Sequence, residues 1–352
     1  MQANVAVNEV DRFSLLMVIF GAGASYDSLA RYPPESGSAM EWRPPLADHL
    51  FDARFGPYIQ QFRQMHAVVP DLQNPVGGVE AVLERFQSEA PTYPRRLNQL
   101  AAVRYYLQSM LSNCQRNWEN YTRGVTNYKA LLDRIDHRVK GVKILVSFNY
   151  DTLLEDALES TVGLKIDGMS RYLSSDYLVA KLHGSINWIH RIKGPAIELS
   201  GMETDIASRA IDKASQLDVN PPIDLAPHFP LARWGNDAII PALSVPVATK
   251  SVYECPPEQQ QALLEGLPDV DRVLMIGWKA REKRLLESMA ELMKKNLRIM
   301  IVSSSEGKAS ELVIRLQGDL GPAGMLAHYT VGKRGFSHAI TSHEADEFLK
   351  ST

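Results

Sequence analysis

Short apolar runs recur along the chain and predict buried β-strands. The clearest are Leu15–Phe20, Val142–Ser147, Tyr177–Leu182, Arg272–Ile276 and Arg298–Val302. Near-continuous apolar runs are typical of parallel strands whose sheet is covered by helices on both faces. Apolar residues with helical spacing follow two of these runs, in Asp151–Ser160 and Arg281–Met293. The alternation predicts an α/β fold with a doubly wound, mostly parallel, Rossmann-like sheet.

One long segment interrupts this alternation. Residues 46–138 lack β-branched runs and show helical spacing, clearest between Leu97 and Leu111. We therefore predict a large helical insertion at 46–138, with residues 1–45 and 139–352 forming the sheet domain.

Two further segments read as loops. Arg31–Pro45 is rich in Pro, Ser and Gly, and we expect a surface loop that acts as a lid over a ligand. Arg191–Val252 contains many prolines and little periodicity, and it predicts a long irregular excursion.

Composition narrows the class of protein. The chain has 352 residues, of which 45% are hydrophobic, so it can bury a large core. The net charge is −3 and no segment concentrates lysine and arginine, which argues against direct nucleic-acid binding. Cys114 and Cys255 are the only cysteines, which excludes a disulfide framework and a four-cysteine zinc site and favours the reducing cytoplasm. No apolar run is long enough for a membrane helix, so we expect no membrane association.

A polar or glycine-bearing turn follows each of the five apolar runs. The turns are Gly21-Ala22-Gly23-Ala24-Ser25, Ser147-Phe148-Asn149-Tyr150-Asp151, Lys181-Leu182-His183-Gly184-Ser185, Gly277-Trp278 and Ser303-Ser304-Ser305-Glu306-Gly307. In an open parallel sheet, ligands bind at the carboxyl ends of the strands. Five such turns predict one shared crevice.

The first turn is a candidate phosphate site. Backbone N–H groups beside glycines, at the start of a helix, can bind the pyrophosphate of a dinucleotide. Glycine can also occur at such a turn only because its backbone is flexible, without any bound ligand. In addition, Tyr26 stands where the usual dinucleotide fingerprint has its third glycine or alanine. The candidates in this turn are Gly21, Ala22, Gly23 and Ser25.

The second and third turns carry the candidate catalytic residues Asn149, Asp151 and His183. Asp151 could equally be the cap of the helix that follows it. His183 could be structural, although a histidine before a glycine at a strand end is well placed to meet a ligand. His183 and His190 are seven residues apart and His183 has no acidic neighbour at ligand spacing, so we expect no metal site.

Three of these turns resemble the hallmarks of a known family. The order Gly-Ala-Gly-x-Ser, Asn-x-Asp and His-Gly is similar to that of the sirtuin-like (SIR2-like) NAD-consuming domains. Two widely spaced cysteines cannot supply the zinc module of the sirtuin deacylases. The long helical segment resembles instead the SIR2-like domains of bacterial anti-phage defence, which hydrolyse NAD+ to starve an infected cell.

The resemblance implies an NAD+ glycohydrolase that uses NAD+ as its substrate and needs no metal. The glycine turn would hold the pyrophosphate through its N–H groups and the Ser25 hydroxyl. Asn149 would contact the ribose and orient the attacking water, and Asp151 would seat the nicotinamide carboxamide. His183 would act as general base or hold the ribose hydroxyls.

The two remaining turns would complete the cofactor site. Gly277 and Trp278 would line it, and Ser303 and Ser304 would contact the adenosine ribose.

Two alternatives stay open at this point. The chain could be an NAD-dependent protein deacylase, or a non-catalytic NAD or ADP-ribose-binding subunit of a larger defence complex. A free NAD+ hydrolase would kill its host, so we expect gated activity. Gating would come from homo-oligomerisation or from a partner such as an Argonaute, a helicase-type ATPase or a nucleotide-processing protein.

Overall fold

The fold is known from a computed structural model, which describes residues 15–29, 41–192, 196–217, 222–226, 232–246, 253–293 and 296–350. In chain order, the strands are β1 (Leu15–Phe20), β2 (Lys143–Ser147), β3 (Tyr177–Lys181), β4 (Gly184–Ile192), β5 (Ile223–Leu225), β6 (Arg233–Trp234), β7 (Asp237–Leu243), β8 (Val270–Ile276), β9 (Arg298–Val302) and β10 (His328–Val331).

The α-helices of these residues begin and end as follows: α1 (Ala22–Tyr26), α2 (Gly56–Ile59), α3 (Val69–Gln73), α4 (Val79–Glu89), α5 (Arg95–Thr122), α6 (Asn127–Arg138), α7 (Leu153–Ala157), α8 (Glu203–Asp212), α9 (Pro257–Gly266), α10 (Lys283–Leu292), α11 (Glu306–Asp319), α12 (Gly321–Met325), α13 (Phe336–Thr341) and α14 (Glu344–Lys350). A π-helical turn, Leu158–Val162, extends α7. Short 3₁₀ turns lie at Ala47–His49, Ala53–Phe55, Arg63–Val68, Met169–Tyr172, Ala214–Gln216 and Leu267–Asp269.

Six parallel strands form the central sheet in the order β10-β9-β8-β1-β2-β3. The chain runs outward from β1 to β3, returns to the other side of β1, and runs outward again from β8 to β10. The order therefore reverses between β1 and β8, and such a switch point is where doubly wound sheets bind ligands. The predicted α/β class with a doubly wound parallel sheet is confirmed.

Strand β1 shows why the sheet is covered on both faces. Leu16, Val18 and Phe20 are buried in one core, with α6, α7 and the C-terminal helices. Met17 and Ile19 are buried in the opposite core, with α9, α10 and α11. Alternate side chains of a strand point to opposite faces, so a run that is apolar throughout fits only a sheet enclosed on both sides.

The predicted helical segment consists of helices and 3₁₀ turns between Ala47 and Arg138. Its longest helix, α5, packs against β7 and α8, and all three share one hydrophobic core. The segment is thus anchored to the second sheet described next. The exact boundary of the insertion remains a prediction.

The predicted irregular excursion is wrong for much of its length. Strands β5, β6 and β7 lie in this segment and pair with β4 in a second, antiparallel sheet of order β5-β4-β7-β6, and α8 lies between β4 and β5. The strands were hard to foresee because β5 and β6 have three and two residues and β7 contains Pro241. Most of the predicted lid, residues 31–40, lies outside the described residues. None of the helices described is long and apolar enough to cross a membrane.

Close contact between two glycine turns fixes the switch point. The N–H of Gly21 donates to Ile276 O at 2.9 Å, and the N–H of Gly23 donates to Gly277 O at 3.1 Å. A Cβ on Gly21 would lie 2.5 Å from Gly277 O, and a Cβ on Gly277 would lie 2.3 Å from the Ala24 nitrogen. Only glycine allows the turns after β1 and β8 to pack this closely.

We expect Gly277→Ala to lower the free energy of unfolding more than Gly163→Ala. Both glycines have a left-handed φ, +61° and +71°, but nothing lies within 4 Å of a Cβ at Gly163. The control therefore bears only the backbone strain of about 1–2 kcal/mol, whereas Gly277→Ala must also displace the turn after β1. Urea unfolding measures both losses, and equal losses would contradict the packing account.

Candidate active site

A single cavity of about 920 Å³ lies over the carboxyl ends of the central strands. The predicted site residues that line it are Gly21, Ala22, Gly23, Ser25, Asn149, Asp151, His183, Gly277, Trp278, Ser303 and Ser304. The five turns therefore converge, as expected from their positions at strand ends. The chemical role of each residue remains a prediction.

The glycine turn is hydrogen-bonded to the end of β8 and to the following Gly277. Because the N–H groups of Gly21 and Gly23 already have backbone partners, these two residues serve packing at the switch point. Ser25 is only 2% exposed, and its Oγ lies 2.9 Å from the Tyr128 hydroxyl. The Ser25 hydroxyl thus already has a protein partner.

Asn149 is held at the wall of the cavity by two hydrogen bonds. Its Nδ2 donates to Ser25 Oγ at 3.0 Å and to the Tyr128 hydroxyl at 2.9 Å. The residue is 5% exposed, and its Oδ1 has no hydrogen-bond partner among the described residues. A buried acceptor without a partner is rare in folded proteins. Oδ1 is therefore ready to accept a hydrogen bond from a ligand.

Asp151 lies beside this group and also caps α7. Its Oδ1 accepts from the Leu153 N–H at 3.2 Å, so the alternative of a helix cap holds for part of this carboxylate. Burial raises the pKa of Asp151 above its ordinary value, while the Lys181 ammonium and a hydrogen bond from Ser25 oppose the rise. Asp151 is both a structural cap and a wall of the cavity.

The Lys181 ammonium group holds the Asn149–Asp151 turn in place through hydrogen bonds. Its side chain is fully buried, and Nζ donates to Asp151 O at 2.5 Å, to Glu155 Oε1 at 2.9 Å and to Ser185 Oγ at 2.9 Å. A buried ammonium needs such partners because desolvation disfavours its charge. Lys181 thereby ties the Asn149–Asp151 turn to the start of β4, two residues after His183.

His183 stands in an aromatic wall. Its ring meets Phe148 edge-on at 4.9 Å, and Phe148 stacks on Trp278 at 5.2 Å with 6° between the planes. The His183 carbonyl accepts from the Ser244 N–H at 2.9 Å, which fixes its backbone against the end of β7. Flat aromatic faces of this kind favour a planar aromatic ligand.

Cationic side chains lie around the cavity. Arg43, which belongs to the predicted lid, stacks over the Tyr26 ring at 3.7 Å and donates from Nε to Tyr26 O at 2.6 Å. Lys308 and Arg334 also line the cavity, and neither has a carboxylate partner among the residues described. Such side chains suit an anionic ligand. The same part of the chain contains no group of three or more His, Cys, Asp or Glu that could hold a metal ion.

Sequence reasoning missed three residues of this site. Tyr128 and Gln115 belong to helices without a recognisable motif, and only tertiary packing brings them to the turns. Lys181 belongs to the third turn. The signal that could have identified it is a lysine at the end of an otherwise apolar run. A charged residue in a strand that is buried on both faces must have a specific partner.

Comparison with solved structures finds Sir2 proteins. One, in complex with the inhibitor EX-527, 2'-O-acetyl-ADP-ribose and a deacetylated p53 peptide, is 12% identical with a TM-score of 0.38, covering 96% of this chain and 94% of that one. A Sir2 homologue mutant with 2'-O-acetyl ADP ribose is 12% identical with a TM-score of 0.39, covering 97% and 95%. Sir2 with a p53 peptide and NAD+ is 12% identical with a TM-score of 0.37, covering 95% and 93%.

No protein-family model matches the chain, and no curated protein matches it. Each of these structural matches has a low identity and a low TM-score. We therefore base the function on the geometry of the cavity.

A carboxyl pair lies behind the Asn149–Asp151 turn. Burial and a hydrogen bond to Glu119 raise the pKa of Asp156 to about 8. Gln115 Nε2 contacts both carboxyl groups, at 2.5 Å from Glu119 Oε1 and 3.3 Å from Asp156 Oδ2. The pair therefore shares a proton near neutral pH.

We expect Asp156→Asn to stabilise the protein at high pH. The folded protein keeps the Asp156 proton to about pH 8, whereas the unfolded chain releases it near the ordinary pKa of 3.8. The contribution of this group to the free energy of unfolding therefore falls as the pH rises between these values. The asparagine amide still donates to Glu119 and does not titrate.

Thermal unfolding between about pH 5 and pH 8 tests this sign. As the pH rises, the Tm of the variant should fall less than the Tm of wild type. At the upper end of the range the variant should have the higher Tm. Asp167→Asn, the same substitution at an exposed position, is the control. If the Tm of both variants changed with pH in the same way, the shared proton would be contradicted.

Proposed function

We propose that this protein is an NAD+ glycohydrolase that cleaves the nicotinamide–ribose bond to give nicotinamide and ADP-ribose. The observation that carries the proposal is the buried Oδ1 of Asn149, which has no partner among the described residues and belongs to a residue that lines the same cavity as His183. An acceptor beside a possible base is what the activation of a water molecule requires.

The reaction places three demands on the site. As the bond between the anomeric carbon and the nicotinamide nitrogen breaks, its electron pair neutralises the pyridinium and the ribose gains oxocarbenium character. Water then attacks the anomeric carbon and loses a proton. The site must therefore hold the dinucleotide, seat the nicotinamide and orient the water.

The residues of the cavity supply a group for each demand. Asn149 Oδ1 accepts a hydrogen bond from the attacking water or from a ribose hydroxyl. His183 takes the proton of the water on a ring nitrogen, as a general base. The Asp151 carboxylate, stabilised by Ser25 and Lys181, orients the carboxamide of nicotinamide and disperses the developing positive charge.

The dinucleotide fits the remaining surface. The stacked rings of Phe148 and Trp278 offer a flat face to an aromatic base. Lys308 and Arg334 offer cations for the pyrophosphate, and Ser303 and Ser304 offer hydroxyls to the adenosine ribose. A volume of about 920 Å³ is in the upper range of small-molecule sites and accommodates a dinucleotide.

We expect Asn149→Ala and His183→Ala each to abolish the release of nicotinamide. Chromatography of NAD+ and its products measures the loss, and both variants should still bind NAD+. The controls are Asn117→Ala and His66→Ala, which lie on helical surfaces away from the cavity and should retain full activity. Turnover that persists in both site variants would contradict these roles.

The same assay separates the alternative functions. Consumption of NAD+ only with an acetylated peptide, with O-acetyl-ADP-ribose as product, would indicate a deacylase. Binding of intact NAD+ without turnover under every condition would indicate a non-catalytic subunit.

We further propose that the activity is gated and serves bacterial anti-phage defence in the cytoplasm, as the family resemblance implies. The geometry supports a route for gating through α5. The Gln115 Oε1 accepts from the Thr152 N–H at 2.7 Å, and Trp118 Nε1 donates to Ser28 Oγ at 2.9 Å. A shift of α5 on homo-oligomerisation or on binding a partner protein would move both turns.

We expect slow turnover by the isolated chain, and a rate per chain that rises with protein concentration or with the partner. Gln115→Ala should lower the stimulated rate about tenfold, because it removes the side chain that accepts from the Thr152 N–H. Gln108→Ala is the control, because Gln108 is buried on the same helix but donates to Ile186 O. Full turnover at nanomolar concentration, or equal rates for the two variants, would contradict gating through α5.

A further inference from the structure

The hydrogen bonds around Asn149 form a closed triangle of three polar groups. Asn149 Nδ2 lies 3.0 Å from Ser25 Oγ and 2.9 Å from the Tyr128 hydroxyl, and those two oxygens are 2.9 Å apart. The Asn149 amide has two hydrogens, and each oxygen of the triangle accepts one. Both donors of the amide are thus used within the protein.

The third edge of the triangle joins two hydroxyls. Ser25 Oγ and the Tyr128 phenol oxygen are 2.9 Å apart, and either can donate to the other. Burial raises the pKa of Tyr128 well above its ordinary value, so the phenol keeps its proton. Whichever hydroxyl donates, both oxygens keep a lone pair for the Asn149 amide.

Packing holds the Tyr128 ring independently of its hydroxyl. The residue is 1% exposed, and its ring meets Phe20 at 5.0 Å and Phe336 edge-on at 5.7 Å. The preceding residue fixes the start of α6, because the Asn127 N–H donates to Ser28 O at 2.6 Å. The hydroxyl is therefore presented to Asn149 by a rigid support.

We propose that Tyr128 is a positioning residue that acts, with Ser25, to hold the Asn149 amide with Oδ1 toward the reacting centre. A flipped amide would turn its N–H groups into the cavity, so Ser25 Oγ and the phenol oxygen would lose the two N–H donors of Asn149. The proposal rests on the proposed function, and it gives Ser25 a part in orienting Asn149 in place of holding a phosphate.

Tyr128→Phe tests the proposal, because it removes one hydroxyl and keeps the packed ring. We expect kcat for NAD+ hydrolysis to fall about 10- to 100-fold, with KM and the Kd for NAD+ within about twofold of wild type. Because a hydrogen bond with Ser25 lowers the pKa of Asp151, the loss of its Tyr128 partner should also shift the acidic limb of the kcat–pH profile.

Tyr105→Phe is the matched control. Tyr105 is equally buried, and its hydroxyl donates to the Ile239 carbonyl outside the cavity. The two variants should lose similar amounts of Tm, while the control keeps the wild-type kcat and pH profile. A Tyr128→Phe enzyme with the kcat and profile of Tyr105→Phe would overturn the proposal.

Ser25→Ala tests the second oxygen that accepts from the Asn149 amide. A fall in kcat at nearly constant KM is expected if Ser25 orients Asn149. A rise in KM alone would show that Ser25 binds phosphate, and would overturn its part in the proposal.

One measurement decides the orientation without any turnover. The side-chain NH₂ signals of Asn149, assigned by their loss in Asn149→Ala, should exchange slowly with solvent in wild type and faster in Tyr128→Phe. Equal exchange in both would overturn the proposal even in an active enzyme. A wild type without NAD+ turnover under every condition would reject the proposed function, while the exchange rates would still decide the orientation.

Discussion

The contact between the Gly21–Gly23 turn and Gly277 is the constraint on which the rest of the site depends. Two backbone segments touch there because neither carries a Cβ at the point of closest approach. Their hydrogen bonds close the sheet at the point where the strand order reverses. The neighbouring strand ends then lie within one ligand's length of each other, so a single cavity can take residues from five separate turns.

Above this frame, polar groups are arranged in two layers. Asn149, Asp151, His183 and Ser25 line the cavity, and Tyr128 and Lys181 lie behind them with a buried hydroxyl and a buried ammonium group. The Tyr128 hydroxyl accepts from the Asn149 amide, and Lys181 donates to the Asp151 carbonyl. Such support keeps reactive groups oriented before a ligand arrives, which is what electrostatic preorganisation requires.

The central sheet could be predicted because its strands are apolar on both faces, and β1 is the clearest case. The second sheet could not, since β5 and β6 are too short to show a pattern and Pro241 interrupts β7. The site turns followed from their positions at strand ends. Tyr128 reaches Ser25 across 103 residues through the packing of α6, which no local pattern encodes.

The most direct test of the proposed chemistry is a crystal structure with an NAD+ analogue whose nicotinamide–ribose bond cannot be hydrolysed. We predict that the anomeric carbon of its nicotinamide ribose lies within about 4 Å of both Asn149 Oδ1 and the His183 ring. An analogue bound elsewhere, or bound in the cavity with this carbon away from either side chain, would contradict the account.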